Sequence, residues 1–379
     1  MNRSIIYDLI RTGEQVSRTE LARRSSLTKP TVSAIVEELL LEGIVVEVGF
    51  SKSEPTGGRR ARLLEFNPDS AAYIGLRFGV RTITVALADG LGRQLAATTA
   101  PANHHSPDES LEHAAALIQT ILEDAGVPQT RVSCVGLAVG GLIEAETGRC
   151  ILSTNQNWKE VNLRELAEAR FDIPVTVSNV TDAAALAEAR LLAQDDCDNF
   201  VWIYAGTGIG AAIVSQGQIF RGRSGFSGEI GFCRGQPGGP TIEELASGRA
   251  IVAAVESRRS ESPLFASSGS EIKINAILKA AEDGDVLARS VVERAGRDLG
   301  LAVSYLVHII NPERAILGGG VAEKSDIFLA AVRETVNSEV LGPEAVELSR
   351  TALVGEVVTI GAIQLAMEHS VQSFRIVAR

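Results

Sequence analysis

The chain has 379 residues, 45% hydrophobic and 22% charged, with 47 Asp and Glu against 36 Lys and Arg. This is the make-up of a globular protein long enough for two or three domains, and it excludes a disordered or fibrous chain. Cys134, Cys150, Cys197 and Cys233 form no C-x-x-C pair and no zinc spacing, so neither a disulfide framework nor a metal ribbon is indicated and a reducing compartment is expected. No segment runs about 18 apolar residues without charge, so no membrane span or signal peptide is predicted and the expected location is the cytoplasm.

The net charge of -11 is unevenly spread. Residues 1–68 hold ten Lys/Arg against nine Asp/Glu, leaving 26 against 38 for the rest. Because a polyanion is bound mainly by neutralising its phosphates, a nucleic-acid contact is expected in the first segment alone.

In chain order, Ile5, Ile6, Leu9 and Ile10 have helical spacing that closes at Thr12-Gly13. Ser17-Arg18-Thr19-Glu20 is an S-x-x-E capping box opening a short helix through Arg24. After Ser25-Ser26-Leu27, Thr28 caps a third helix that tolerates Pro30 in its first turn and carries a core stripe of Val32, Ile35, Val36, Leu39 and Leu40. Its other side begins with Lys29, Thr31, Ser33 and Ala34, the small and polar groups of a recognition helix. Residues 44–48 and 61–66 read as two strands joined by a wing that ends Gly57-Gly58-Arg59-Arg60, with guanidinium groups suited to phosphate or a narrow minor groove. The pattern predicts a winged helix-turn-helix over residues 1–68, touching DNA through Arg18, Lys29, Thr31, Ser33, Arg59 and Arg60.

Beyond Asn67-Pro68, two strand, glycine-turn, strand units occupy 73–89 and 200–214, a weak internal duplication. Further β-rich runs (132–139, 175–177) alternate with helical stretches (111–124, 182–192, 291–310), which predicts an α/β architecture of two related lobes and a cleft.

A series of ordered segments then becomes specific. They are Gly57-Gly58-Arg59-Arg60, Val135-Gly136-Leu137-Ala138-Val139-Gly140-Gly141, residues 155–158 and 179–188, Gly206-Thr207-Gly208-Ile209-Gly210, Gly228-Glu229-Ile230-Gly231, residues 243–248, and Leu317-Gly318-Gly319-Gly320. Over essentially its whole length the chain resembles the ROK family (repressors, open reading frames and kinases), of the N-acetylglucosamine/xylose repressor type. The resemblance implies a winged helix-turn-helix (1–68) followed by a two-lobed actin-like, ribonuclease H-like sugar-kinase domain. Lobe one is expected over 69–190, completed by 360–379, and lobe two, with dimerisation, over 191–359.

Against a family kinase the chain departs in three places. Arg77-Phe78-Gly79-Val80-Arg81 stands where an Asp-x-Gly-Gly-Thr turn would organise magnesium and phosphates. Ser178-Asn179-Val180-Thr181-Asp182 puts Val180 at the general-base Asp, and valine accepts no proton; Asp182 would serve only in another register. The zinc histidine is Phe232, and the cysteine run has shrunk to residues 234–240, leaving Cys233 alone. The 206–210 turn, a phosphate loop in a kinase, therefore reads here as a tight hairpin. His104, His105, His113, His308 and His369 match no family site.

The groups that persist suit hydroxyl recognition: Asn155, Asn179, Glu229 and Glu243, with Gly141 for close backbone approach. The expectation is a transcriptional regulator, not an enzyme, without metal or cofactor. It would bind two-fold operator DNA as a homodimer or homotetramer and control carbohydrate genes, with a sugar or sugar derivative in the cleft as effector. Two alternatives remain: an active ATP-dependent sugar kinase fused to a DNA-binding head, and a regulator controlled by a protein partner.

Overall fold

The computed structural model describes residues 2–13, 15–51, 60–102, 106–266, 271–341 and 346–377, so the expected contacts of Arg59 and the positions of His104 and His105 lie outside the described residues. The chain forms two units: residues 1–137, 163–177 and 362–379, and residues 138–162 and 178–361.

The first unit opens with α1 (Asn2–Arg11), β1 (Val16–Ser17), α2 (Arg18–Ser25), α3 (Lys29–Leu41), β2 (Val45–Phe50) and β3 (Arg62–Phe66). Ser17 caps α2 by accepting from the Glu20 amide at 3.2 Å, Ser26 turns the chain with φ 57°, and Thr28 caps α3 by accepting from the Thr31 amide. Only half of the expected capping box forms. The Glu20 carboxylate swings outward to accept from Arg23 Nε (2.8 Å) and Nη2 (2.6 Å), because a bidentate guanidinium outcompetes a single backbone amide. Val32, Ile35, Val36 and Leu39 are buried against Ile6, Ile10, Leu21, Leu64 and Phe66. The sheet has the order β1-β3-β2; the two-residue strand β1 was not anticipated.

This head is seated on the first strands of the α/β portion. Gly90 leaves room for the Phe66 ring, which a Cβ would meet at 2.9 Å, and its amide donates to Pro68 O at 2.8 Å. Leu91 packs against the head's core, and Arg131 pairs with Asp69 at 2.6 Å. The Tyr7 and Tyr73 hydroxyls are hydrogen-bonded to each other, and Tyr73 to Ser370; burial pushes both phenols above their ordinary range.

The rest of the first unit is built on β4 (Ala72–Phe78), β5 (Thr82–Asp89) and β6 (Gln94–Pro101), α4 (Pro107–Ala125) and β7 (Val132–Val139). The small hairpin strands β8 (Leu142–Glu144), β9 (Arg149–Ser153) and β10 (Trp158–Val161) intervene before α5 (Leu163–Phe171) and β11 (Val175–Asn179). The sheet runs β6-β5-β4-β7-β11, and the buried run of β4 marks a central strand while the alternating exposure of β6 marks an edge.

The second unit has α6 (Val180–Leu192), β12 (Phe200–Ala205), β13 (Ile209–Ser215), β14 (Gln218–Ile219), α7 (Ile242–Ala246), α8 (Gly248–Ser257), α9 (Pro263–Ala266), α10 (Ile274–Glu282) and α11 (Val286–Ile310). It continues through β15 (Arg314–Gly318), α12 (Asp326–Glu339), β16 (Glu347–Arg350) and the start of α13 (Val357–Val377), whose remainder belongs to the first unit. Its sheet runs β14-β13-β12-β15-β16, with β12 antiparallel to β13 and parallel to β15. Leaving aside the inserted β8–β10 hairpins, both large sheets place their strands third, second, first, fourth, fifth, so the duplication suggested by the two glycine turns extends to the whole topology.

Two glycines set how closely α13 packs. In the first unit a Cβ on Gly136 would overlap the Ala362 carbonyl; in the second a Cβ on Gly361 would overlap the Ala183 carbonyl at the start of α6. Gly361→Ala is expected to cost about 1–3 kcal/mol in chemical denaturation. Gly235→Ala, where a Cβ meets nothing within 4 Å, should leave the midpoint unchanged.

Candidate functional site

Two surfaces carry chemistry. On the head, Lys29, Ala34 and Arg60 are exposed, and Thr31 and Ser33 are half-buried on the first turns of α3. The Thr31 hydroxyl lies 2.8 Å from that of Thr28. Arg18 is placed differently: it pairs with Glu37 at 2.8 Å and Glu47 at 3.3 Å, and Glu47 also holds Arg62. Arg18 thus fixes α2 to α3 and the wing strand, and reaches phosphate only by exchanging those partners.

In the second unit one pocket is lined by Gly140, Gly141, Thr154, Asn155, Asn179, Val180, Thr181, Tyr204, Gly208, Ile209, Gly210, Glu229, Phe232 and Glu243. All five expected effector contacts fall in this lining. Asn179 ends β11 and caps α6: its Oδ1 accepts from the amide and the hydroxyl of Thr181, both at 2.9 Å. Its Nδ2 donates to Gly141 O at 2.6 Å and, at 3.4 Å, to Glu229 Oε1. Gly141 has φ 138°, and a Cβ there would collide with the backbone of β9, which accounts for glycine at this turn. The amide of Asn155 has no hydrogen-bond partner among the described residues.

Glu243 is committed elsewhere. Its Oε2 accepts from the Ile209 amide at 3.0 Å and its Oε1 from Arg249 Nη2 at 2.7 Å, while Arg249 Nε donates to Thr207 O. It therefore supports the 206–210 turn, a tight hairpin in which the Gly206 amide donates to Gly208 O at 3.1 Å and the Tyr204 ring lies against Gly206. Tyr204 and Arg249 were not foreseen from the sequence. Val180 lines the pocket beside Asn179.

Two carboxyls are perturbed. Burial raises Glu229 to about 7, with the charges of Asp182 and Glu243 adding to the rise. Burial raises Asp182 to about 6, against the opposing pull of Arg221, whose Nη1 lies 4.0 Å away. Asp182 is not among the pocket-lining residues. The site thus offers amide donors, a carboxyl able to donate or accept near neutrality, and the half-exposed Phe232 ring, a set that fits a neutral polyhydroxylated ligand with an apolar face. Among the described residues no group of three or more His, Cys, Asp or Glu side chains could hold a metal ion, and no helix is long and apolar enough to cross a membrane.

The chain is similar to known proteins. The model of the ROK family matches residues 73–369. A xylose repressor of Caldicellulosiruptor bescii is 30% identical over 355 residues, spanning 89% of this chain and 87% of its own. The DNA-binding transcriptional dual regulator NagC of Escherichia coli is 29% identical, spanning 90% and 86%. Among solved structures, a ROK family transcriptional regulator homologous to the Escherichia coli MLC protein superposes over 100% of this chain and 98% of its own with a TM-score of 0.82 at 27% identity. A ROK family glucokinase from Streptomyces griseus, solved with glucose and AMPPNP, superposes with a TM-score of 0.70 at 26% identity over 79% of this chain and 100% of its own.

The shifted carboxyls predict a pH dependence. Folded Glu229 holds its proton up to about 7, whereas the unfolded group releases it near 4.5, so its stabilising contribution is full below 4.5 and is lost as pH rises through 7. Glu229→Gln should flatten the fall in thermal midpoint between about pH 5 and pH 8 and match or exceed the wild type at the upper end. A variant that keeps the wild-type slope would place the titration elsewhere.

Proposed function

Because the chain belongs to the ROK family, we propose that it is a DNA-binding transcriptional regulator of carbohydrate genes, controlled by a sugar or sugar derivative in the Asn179 pocket and without phosphoryl-transfer activity. One observation supports the reading: Val180, which the family resemblance aligns with a kinase's general base, lines the pocket amid side chains whose remaining hydrogen-bonding capacity suits hydroxyls. A hydrocarbon side chain takes no proton from a sugar hydroxyl, so a ligand would be held and not transformed. The repressors and the dual regulator among the relatives support the same reading, and the family also includes the glucokinase.

Asn155 and Glu229 would meet vicinal hydroxyls, Gly141 would allow close backbone approach, and Phe232 would lie against the ligand's apolar face. Asn179 and Glu243 would act mainly as supports, since their polar atoms already have partners. On the DNA side, Lys29, Thr31, Ser33 and Arg60 would form the contact surface, with Arg18 bracing α3 through Glu37; Arg59, outside the described residues, is expected to join them. Two or four copies would place two heads on a two-fold operator.

Thermal shift against a panel of free and phosphorylated sugars tests the effector claim. A ligand at about 100 times its Kd should add roughly 2.7 kcal/mol of stability. Asn155→Ala should abolish that gain while leaving the unliganded midpoint in place, because its amide has no hydrogen-bond partner among the described residues. No stabilisation by any carbohydrate would favour control by a protein partner, and ADP release that Asp182→Asn removes would restore the kinase reading.

For DNA, Lys29→Ala combined with Arg60→Ala should weaken operator binding and reduce the log–log salt slope by about 0.9 for each phosphate that is no longer neutralised. Unchanged slope and affinity in fluorescence anisotropy would remove these side chains from the interface.

A further inference from the structure

A cavity of about 350 Å³ opens in the first unit at the seat of the head. Arg11, Gly13, Gln15, Glu65, Phe66 and Leu91 line it, so the end of α1, the end of β3 and the turn between β5 and β6 each supply a wall. The volume is that of a small-ligand pocket. None of the six residues takes part in the sugar pocket or in the DNA-facing surface.

The apolar part of the lining is held in place by its surroundings. Phe66 is buried, with its ring edge-on to that of Tyr7 and the centroids 5.7 Å apart. Leu91 sits in a turn organised by the buried Asp89, whose Oδ1 accepts from the Leu91 amide at 2.9 Å and from the Arg93 amide at 3.0 Å, while its Oδ2 accepts from Arg93 Nε at 2.8 Å. A ligand arriving here meets a preformed surface, and little order has to be imposed to bind it.

The charged part of the lining is short of partners. The Arg11 side chain is 23% exposed, its Nε is shielded from solvent with no hydrogen-bond partner among the described residues, and its Nη2 stands 3.9 Å from Asp8 Oδ1, beyond hydrogen-bonding distance. A cation at the end of α1 suits the negative pole of that helix, but the pole supplies no acceptor to the guanidinium. Glu65, of opposite charge, enters no ion pair among the described residues and accepts only a long bond from Gln15 Nε2 at 3.4 Å. A cation and an anion thus share one lining without meeting each other.

We propose that this cavity binds a small zwitterion, an α-amino acid with an apolar side chain, its carboxylate on the Arg11 guanidinium, its ammonium on Glu65 and its side chain against Phe66 and Leu91. A carboxylate matches the fork of guanidinium donors, and an ammonium supplies the counter-charge that Glu65 lacks. A simple acid would face Glu65 uncompensated and a simple amine would face Arg11, so the pair of charges rejects molecules that carry only one. The bound amino acid touches the head through α1 and β3 and the α/β portion through Leu91. Held by both, it favours one seating of the head over others, a consequence for regulation that alone rests on the regulator reading above.

Isothermal titration calorimetry on the full chain with L-leucine and L-phenylalanine tests the site. At least one should bind, and its analogues lacking the ammonium (isocaproate, hydrocinnamate) or the carboxylate (isoamylamine, phenethylamine) should bind about tenfold more weakly or worse, the loss of one charge-assisted hydrogen bond. Arg11→Met, which keeps an apolar stem beside the Tyr7 ring and removes the charge, should weaken the amino acid by a similar factor. So should Glu65→Gln. Circular dichroism melting confirms that each variant is folded, and because Glu65 is exposed on its strand its replacement keeps the test decisive even where Arg11→Met does not fold.

No binding of either amino acid at millimolar concentration, an analogue with a single charge that binds as well as its parent, or affinity that survives Glu65→Gln would overturn the proposal. Neither DNA nor sugar enters the measurement, so its failure leaves the regulator reading standing. A chain that binds leucine through Arg11 and Glu65 yet responds to no sugar and no operator sinks that reading alone.

Discussion

One side-chain amide organises the second unit's pocket. Asn179 must serve as the cap of α6, and the two bonds its oxygen accepts from Thr181 leave its nitrogen with one orientation. That nitrogen is then directed at the Gly141 carbonyl and at Glu229, so three segments distant in sequence are fixed by a single planar group. The geometry also divides labour. Asn179 is saturated and Glu243 is spent on the Ile209 amide and Arg249, so the hydrogen-bonding capacity left over in the lining belongs to Asn155 and Glu229, beside the Phe232 ring. Glu229 gains a near-neutral carboxyl from the same crowding, because burial and two neighbouring acids oppose its ionisation.

The head follows a comparable economy. Its basic residues are not equivalent: Arg18 and Arg62 share Glu47, and Arg23 is clamped by Glu20. These ion pairs stiffen the head, while Lys29 stands exposed at the start of α3. Positive charge counted along a sequence therefore overstates the charge available to a ligand.

Features set by local spacing are legible in the amino-acid sequence. The stripe Val32, Ile35, Val36 and Leu39 repeats at helical intervals and is buried as a stripe, and the two glycine turns mark hairpins whose neighbours approach too closely for a Cβ at Gly79, Gly206 and Gly208. The lining of the pocket was legible as residue types, since amides and carboxylates without apolar disguise stand out. What escaped was set by distant partners. Nothing within Val16-Ser17 announces a strand, because its pairing depends on Leu63 and Leu64. The failure of Glu20 to complete its capping box depends on a competing arginine, and the role of Glu243 depends on an amide and a guanidinium that only the fold brings to it. Tyr204 was hidden because a strand residue gives no sign that its ring will cover the adjoining turn.

The seat of the head on Gly90, Leu91 and Tyr73 has a consequence for how DNA is addressed. A reading head hung from a slack tether tolerates half-sites at many separations, since the tether absorbs the difference. Here the ring of Phe66 rests in the space Gly90 leaves open, and the joined phenols of Tyr7 and Tyr73 remove play at that joint. For a regulator that sets two such heads on one operator, as proposed, the number of base pairs between half-sites would become part of the message, measured by the rigidity of the joint.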